Sequence, residues 1–247
     1  MKKYQTLIIG SSFSSIGYAI ANKDTLIVEQ TEMLDTSFYL PMRGFSKCDY
    51  EPKTELGCEL YSIFRERGII TDEGQNVSAF EIGLCRFAEK HAPNVYLKCR
   101  VIESKQENGF FTVTLLHNGG IETVEAKKVI DTRETKSGKK CLAVIFDCPE
   151  KDISDGEISV AFPEDEVKTS FYKNRYVLYA NVKSEDINDA KCEIYEKWKK
   201  LEGYRILYTA PAFYYPDAQY PQLCDGRFEN PIAAFEDGIR LAKEDKI

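Results

Sequence analysis

A short apolar run followed by small polar residues opens this chain, in a pattern that can bind an anion. The segment TLIIGSSFSSIGYAIA, residues 6–21, places Gly10 and four serines between an apolar strand and an apolar helix. Backbone N–H groups at a helix N-terminus point toward whatever lies in front of it, and the helix dipole favours negative charge there. The sequence therefore predicts that this loop binds a phosphate or pyrophosphate.

The loop departs from the usual dinucleotide-binding pattern, G-x-G-x-x-G, at two of three positions. Gly10 holds the first position, while Ser12 and Ser15 hold the second and third. Serine adds a Cβ where the phosphate approaches and resists positive φ, but its hydroxyl can donate to a phosphate oxygen. The candidate cofactor-binding residues of the loop are Gly10, Ser11, Ser12, Phe13, Ser14 and Ser15.

Three further residues could complete a nucleotide site. Glu29 ends the next apolar run, TLIVE, about 20 residues after Gly10, the spacing at which a carboxylate accepts hydrogen bonds from ribose hydroxyls. Gln30 lies beside it, and Arg43 could pair with phosphate through its forked donors. The alternative interpretations are a strand-end carboxylate and a surface arginine without ligands.

The elements around these residues predict an α/β fold. YQTLIIG and DTLIVEQ have the short apolar runs of buried parallel strands, and the helix between them completes a compact βαβ unit. Helices are predicted around 55–67 and 77–91. A β-rich passage with hairpin glycines at 109, 119 and 120 then predicts an antiparallel meander that returns to a buried strand, KKVIDT.

Residues 136–215 form a second, β-rich portion. Its strand candidates are CLAVIF, EISVAF, TSFYKNRYVLYANV and YRILYTA, and one helix is predicted near 186–201. The chain then closes with a short strand, a loop and a helix within YPQLCDGRFENPIAAFEDGIRLAKEDKI.

Charge and composition exclude several function classes. A net charge of -7 argues against nonspecific nucleic-acid binding, which needs a basic surface. No run approaches the ~20 apolar residues of a membrane helix, so we expect a cytoplasmic protein without a membrane partner. None of the eight cysteines forms C-x-x-C, and the two histidines are isolated, so no metal site is predicted.

Three segments together resemble the FAD-dependent oxidoreductases of the glutathione-reductase-like superfamily. They are residues 5–29, the meander passage ending in KKVIDTRE, and the closing LCDGRFENPIAAFEDGIRLA. In that family the closing acidic residue binds the flavin's ribityl chain, and the following helix points its N-terminus at the cofactor. The resemblance implies these roles for Asp225 and Ala233, and it implies FAD as the cofactor.

The departures from the family all concern glycines beside the cofactor. Serine replaces two of them at positions 12 and 15, Glu134 replaces another in DTRE, and Cys224 precedes Asp225. Three alternatives stay open: an FAD-dependent oxidoreductase, a non-catalytic relative that has lost FAD or binds it weakly, and a nicotinamide-dependent dehydrogenase. The meander and the closing segment argue against the third.

The predicted architecture is a discontinuous Rossmann-like FAD domain, residues 1–135 and 216–247, with a small β-rich α+β cap domain inserted at 136–215. The predicted function is oxidoreduction of a small organic substrate, in which the flavin carries the redox step and the protein supplies orientation. Tyr214, Tyr215 and Tyr220 are candidates for walls of the substrate pocket. Catalytic residues, substrate, electron partner and oligomeric state are left open by the sequence.

Overall fold

The computed structural model describes residues 1–43, 50–133, 138–149, 157–163, 165–169 and 175–245. Cys48, considered as a reactive thiol, and Glu134 lie outside the described residues. The helices in this part of the chain are α1 (Phe13–Ala21), α2 (Glu55–Glu66), α3 (Phe80–His91), α4 (Glu157–Ala161), α5 (Ile187–Trp198) and α6 (Pro231–Glu244). The strands are β1 (Lys2–Ile9), β2 (Thr25–Val28), β3 (Asn94–Tyr96), β4 (Arg100–Glu107), β5 (Phe110–His117), β6 (Gly120–Asp131), β7 (Cys141–Asp147), β8 (Glu166–Thr169), β9 (Arg175–Asn181) and β10 (Arg205–Thr209).

The first sheet is mixed, with strand order β3-β2-β1-β6-β5-β4. Strands β3, β2, β1 and β6 are parallel neighbours, and β5 and β4 continue the sheet as an antiparallel meander. The central strands are buried on both faces, as expected of apolar runs in a parallel sheet. The predicted α/β fold class, a parallel sheet with a meander, is therefore confirmed.

Two details of this sheet differ from the prediction. The meander strand and KKVIDT are one continuous strand, β6, which pairs with β5 on one side and with β1 on the other. Residues Asn94–Tyr96 pair in parallel with β2 and belong to the parallel part, not to the meander. Hairpin glycines indicate where two consecutive strands begin and end. They do not indicate which strand pairs with the other edge of β6.

Helices α1 and α6 pack against each other at unusually close range. A Cβ on Gly17 would lie 2.1 Å from the carbonyl oxygen of Phe235, and one on Gly238 would lie 1.9 Å from that of Ser14. These small residues bring the closing helix against the first helix. As a result, the segment just before α6 reaches the N-terminus of α1.

The second sheet is antiparallel, with order β10-β7-β9-β8, and α5 packs on it through Trp198 against Phe146. It falls inside the predicted cap region, although the domain division itself stays a prediction. EISVAF was expected to be a strand but contains α4: Ile158 and Phe162 are buried while Val160 is 83% exposed. Burial of residues four apart, with the intervening one in solvent, is the helical period and not that of a strand.

The region after Thr169 and the closing segment also differ from expectation. The long strand candidate, residues 169–182, contains the last residue of β8 and all of β9, with residues 170–174 outside the described part. The short strand expected in YPQLC is irregular and leads into a 3-10 turn, Asp225–Arg227.

Among the described residues, no helix is long and apolar enough to cross a membrane. Within the same ranges, no group of three or more His, Cys, Asp or Glu side chains is arranged to hold a metal ion.

Candidate functional site

A cleft of about 340 Å³ opens at the carboxyl ends of β1 and β2. In open α/β sheets this edge is where ligands bind. Its lining brings together the predicted residues Gly10, Ser11, Ser12, Glu29, Gln30 and Asp225, whereas Phe13, Ser14, Ser15, Arg43 and Ala233 do not line it. Sequence reasoning missed Thr36, Ser37 and Phe213, which also line the cleft, because no motif marks them. It also gave no role to Thr132 and Arg133, which line the cleft and belong to the DTRE segment.

The first glycine of the loop has the role that the motif requires. Gly10 has a φ of 102°, in the region that favours glycine. A Cβ there would lie 2.4 Å from Oγ1 of Thr132, at the end of β6. Gly10 therefore makes the tight turn and lets the chain after β6 approach.

The two serines that replace glycines cap α1. Ser12 is the N-cap with a φ of -155°, extended backbone that any residue adopts, so no glycine is needed there. Its hydroxyl accepts from the Ser15 N–H at 3.0 Å, and the Ser12 N–H donates to Oγ of Ser15 at 2.7 Å. This reciprocal pair is a capping box, which satisfies N–H groups that a helix end otherwise leaves open.

Asp225 occupies the N-terminus of α1. Its carboxylate accepts from the N–H of Phe13 at 2.7 Å and from the N–H of Ser14 at 2.9 Å. The hydroxyls of Ser14 and Ser37 lie 2.7 and 3.0 Å from the same carboxylate. Asp225 is fully buried. Burial raises the pKa of this carboxyl, and the hydrogen bonds from Ser14, Phe13 and Ser37 act in the opposite direction.

Arg43 and Ser12 hold the segment that carries Asp225. The Arg43 guanidinium is buried and donates to the carbonyl oxygens of Ser37, Asp225 and Gly226 at 3.0 to 3.1 Å. The Ser12 hydroxyl donates to the carbonyl oxygen of Leu223 at 2.9 Å. Leu223 has a φ of 60°, a conformation that costs a non-glycine residue free energy and persists only where neighbouring contacts impose it.

Glu29 braces the loop from the strand side. Its two carboxylate oxygens accept from the N–H of Ser11 at 2.8 Å and from the N–H of Thr31 at 2.7 Å. Each oxygen has a second lone pair, so the side chain keeps the capacity to accept from a ligand hydroxyl. Gln30, next to it, is exposed at the rim of the cleft.

Helix α6, whose N-terminus the family resemblance expects to point at the cofactor, also has its first N–H groups bonded within the protein. Asn230 is the N-cap of α6 and accepts from the N–H groups of Ile232 at 2.8 Å and Ala233 at 3.2 Å. Of the tyrosines considered as pocket walls, Tyr215 lines the cleft, together with Phe213.

This arrangement does not fit the pyrophosphate of FAD. The N–H groups of Phe13 and Ser14, at the helix N-terminus where a pyrophosphate sits in this kind of fold, already donate to a carboxylate. A phosphate at the same point would have to compete with Asp225 for these two donors. The described residues therefore close the anion site that the sequence predicts.

Comparisons with known proteins identify the fold. No protein-family model and no curated protein matches the chain. Among solved structures, it is similar to CabE, an aromatic hydroxylase from angucycline biosynthesis, with a TM-score of 0.56 and 11% identity over 98% of this chain and 62% of that one. It is also similar to p-nitrophenol 4-monooxygenase PnpA from Pseudomonas putida DLL-E4, with a TM-score of 0.54 and 13% identity over 98% and 78%.

A third similar structure is that of aklavinone-11 hydroxylase in complex with FAD and aklavinone, with a TM-score of 0.54 and 14% identity over 99% of this chain and 62% of that one. The chain thus spans about three fifths of the length of CabE and of this hydroxylase. It has the fold of the FAD-dependent oxidoreductases, and the resemblance predicted from three short segments is confirmed as a shared fold.

Proposed function

We propose that this protein is a ligand-binding member of the flavoprotein fold that has lost the dinucleotide, not a flavin-dependent oxidoreductase. The observation that carries the proposal is the carboxylate of Asp225 on the N–H groups of Phe13 and Ser14. Fold alone does not determine function, which depends on the chemistry of the site.

Displacing Asp225 would be costly. Its carboxylate has four hydrogen-bond donors in a fully buried site, and hydrogen bonds to a charged group contribute roughly 1.5–3 kcal/mol each. A pyrophosphate would have to replace these contacts while the carboxylate moved to another place. Movement of the turn at Asp225–Arg227 would also break the bonds from Arg43 to the carbonyl oxygens of Asp225 and Gly226, and Ser12 holds Leu223 just before the turn.

The second candidate function is FAD-dependent oxidoreduction of a small organic molecule. It is supported by the fold, by a cleft at the same strand ends, and by Glu29 at the position for ribose binding. A bound FAD would supply the redox chemistry. Glu29 would accept from the ribose, and Asp225 would leave the α1 N-terminus and accept from the ribityl hydroxyls.

The test is a visible absorption spectrum of the purified full chain, before and after incubation with FAD and removal of free flavin by gel filtration. We expect no flavin band in either sample. A flavin band that stays with the protein, and that bleaches on reduction, would overturn the proposal and support the second candidate. Glutathione reductase prepared in parallel would show that the procedure retains a bound flavin.

A further inference from the structure

Four of the hydroxyl groups that line the cleft direct their protons into the protein. Ser11 donates to the carbonyl oxygen of Leu34 at 2.7 Å, and Thr132 donates to that of Ile9 at 3.0 Å. Thr36 donates to the carbonyl oxygen of Ser11 at 3.3 Å, and Ser37 donates to Asp225. A hydroxyl has one proton and two lone pairs, so these four groups offer a ligand acceptors.

The charged residues of the cleft also favour a ligand that donates hydrogen bonds. Glu29 and Asp225 are both buried carboxylates in its wall. The cation among its lining residues, Arg133, is exposed and forms a two-point ion pair with Asp131, at 2.8 and 2.5 Å. Buried charges are screened much less than exposed ones, so the carboxylates dominate the potential inside the cleft.

The cleft also has an apolar and partly aromatic wall, formed by Ile9, Val28, Leu40, Pro41, Phe213 and Tyr215. A volume of about 340 Å³ lies at the lower end of the roughly 300–1,000 Å³ typical of ligand pockets. The cleft therefore has the size and the walls for one ring system with polar substituents.

We infer that the cleft binds a neutral or cationic aromatic molecule that carries hydroxyl or amino donors, and that it discriminates against phosphate and carboxylate groups. This inference rests on the proposed function, because it takes Asp225 to stay at the α1 N-terminus. The polarity of the cleft is the reverse of that needed for a nucleotide: acceptors and carboxylates stand where a phosphate requires donors and cations.

Two matched pairs of probes test the inference by isothermal titration calorimetry on the full chain. Adenosine is compared with AMP, which adds a phosphate, and tyramine with 4-hydroxyphenylacetate, which has a carboxylate in place of the ammonium group. We expect at least one of adenosine and tyramine to bind, and to bind about tenfold or more tightly than its anionic counterpart, which is about 1.4 kcal/mol. Equal or tighter binding of the anionic probes would overturn the inference, and so would the absence of binding by all four.

A pair of variants locates the binding. Glu29→Gln removes a carboxylate from the cleft wall while keeping its size, and we expect it to weaken the cationic probe more than the neutral one. Glu32→Gln is the control, since Glu32 is exposed and pairs with Lys98 outside the cleft. A thermal melt of each variant checks its fold, and equal effects of the two substitutions would contradict the assigned site.

The two proposals fail in different ways. Retention of FAD in the absorption experiment overturns the proposed function, whatever the small probes do. A protein that stays colourless but binds AMP better than adenosine keeps the proposed function and overturns the ligand class.

Discussion

Helices α1 and α2 both have an N-terminus held by a carboxylate from the last part of the chain. Asp225 accepts from Phe13 and Ser14 at α1. Glu236 accepts from the N–H of Lys53 at 2.8 Å, from the N–H and hydroxyl of Thr54 at 2.5 and 2.7 Å, and from the hydroxyl of Tyr50. Each carboxylate gathers four donor groups at the start of a helix.

The two ends differ in what surrounds them. At α2, Thr54 also caps the helix locally, and a Cβ on Gly57 would lie 2.2 Å from Oε1 of Glu236, so the carboxylate is packed into the helix. At α1, Asp225 forms part of the wall of a cleft. In related folds the N-terminus of the helix equivalent to α1 binds a phosphate. Here a carboxylate binds it, as a carboxylate binds the N-terminus of the structural helix α2.

The largest expected effect is that of Asp225→Ala. Removing the carboxylate leaves buried N–H groups at α1 without a partner, and we expect the free energy of unfolding to fall by about 3 kcal/mol. Because the substitution also empties an anion site, added pyrophosphate should restore part of the lost stability. Urea unfolding with and without pyrophosphate measures both effects.

The wild-type protein and Asp72→Ala are the controls for this rescue, since Asp72 is exposed and forms a surface ion pair with Arg65. Neither should gain stability from pyrophosphate beyond the general effect of salt. A variant that loses stability but shows no specific rescue would mean that the α1 end cannot hold an anion other than its own carboxylate.

Glu236→Ala should cost somewhat less, about 2 kcal/mol, because Thr54 still caps α2 through its bond to Gly57. Pyrophosphate should not rescue this variant, since Tyr50 and α2 enclose the site. The same unfolding titrations measure the result. Equal rescue of both variants would remove the distinction between the two helix ends.

Asp35 gives the α1 region a pH dependence. Burial raises the pKa of its carboxyl to about 8, and the charges of Asp225 and Glu81 act in the same direction. Its Oδ2 is buried and has no hydrogen-bond partner among the described atoms. Since the folded pKa lies above the unfolded one, this contribution to stability is fully present below about pH 4 and is lost as the pH rises through 8.

Between pH 6 and 7 the free energy of unfolding should fall by up to about 1.4 kcal/mol because of Asp35, which is the limit for one titrating group per pH unit. Asp35→Asn keeps the acceptor for the Phe38 N–H and should flatten this slope. Thermal unfolding across that pH range, with Asp72→Asn as the matched exposed control, provides the measurement. An unchanged slope in Asp35→Asn would assign the pH dependence to other groups.

The smallest effect concerns the capping box of α1. Ser12→Ala should lower the free energy of unfolding by about 1 kcal/mol, whereas Ser12→Gly, which restores the family glycine, should cost only a few tenths. Chemical denaturation of the two variants side by side distinguishes them. If the glycine variant were the less stable one, a role of Ser12 in helix capping would not explain its presence.

The parts of the fold that follow from local pattern could be predicted from the sequence. Apolar runs located β1, α1 and β2, and helix periodicity located α2, α3 and α5 within a few residues. EISVAF was missed because a short apolar run fits a strand and a buried helix equally well.

The chemistry of the site depended on contacts that no local pattern carries. The loop, Glu29 and Asp225 were all singled out in the sequence, and the structure brings them to one cleft. That Asp225 would bind the loop itself rests on hydrogen bonds between residues more than 200 positions apart, and on the close packing of Gly17 and Gly238 that positions α6. Ser37, which completes the carboxylate's contacts, lies in no motif.

The origin of the α1 cap so late in the chain has a consequence for biosynthesis. Phe13 and Asp225 are separated by 212 residues, which a ribosome takes about 10 to 40 s to add at 5–20 residues per second. Strand β1 likewise cannot pair with β6 until residues 120–131 have been synthesised. The first helix of the nascent chain therefore emerges long before its partners, and we expect the N-terminal unit to stay incompletely folded, and open to chaperone binding, until Asp225 has been synthesised.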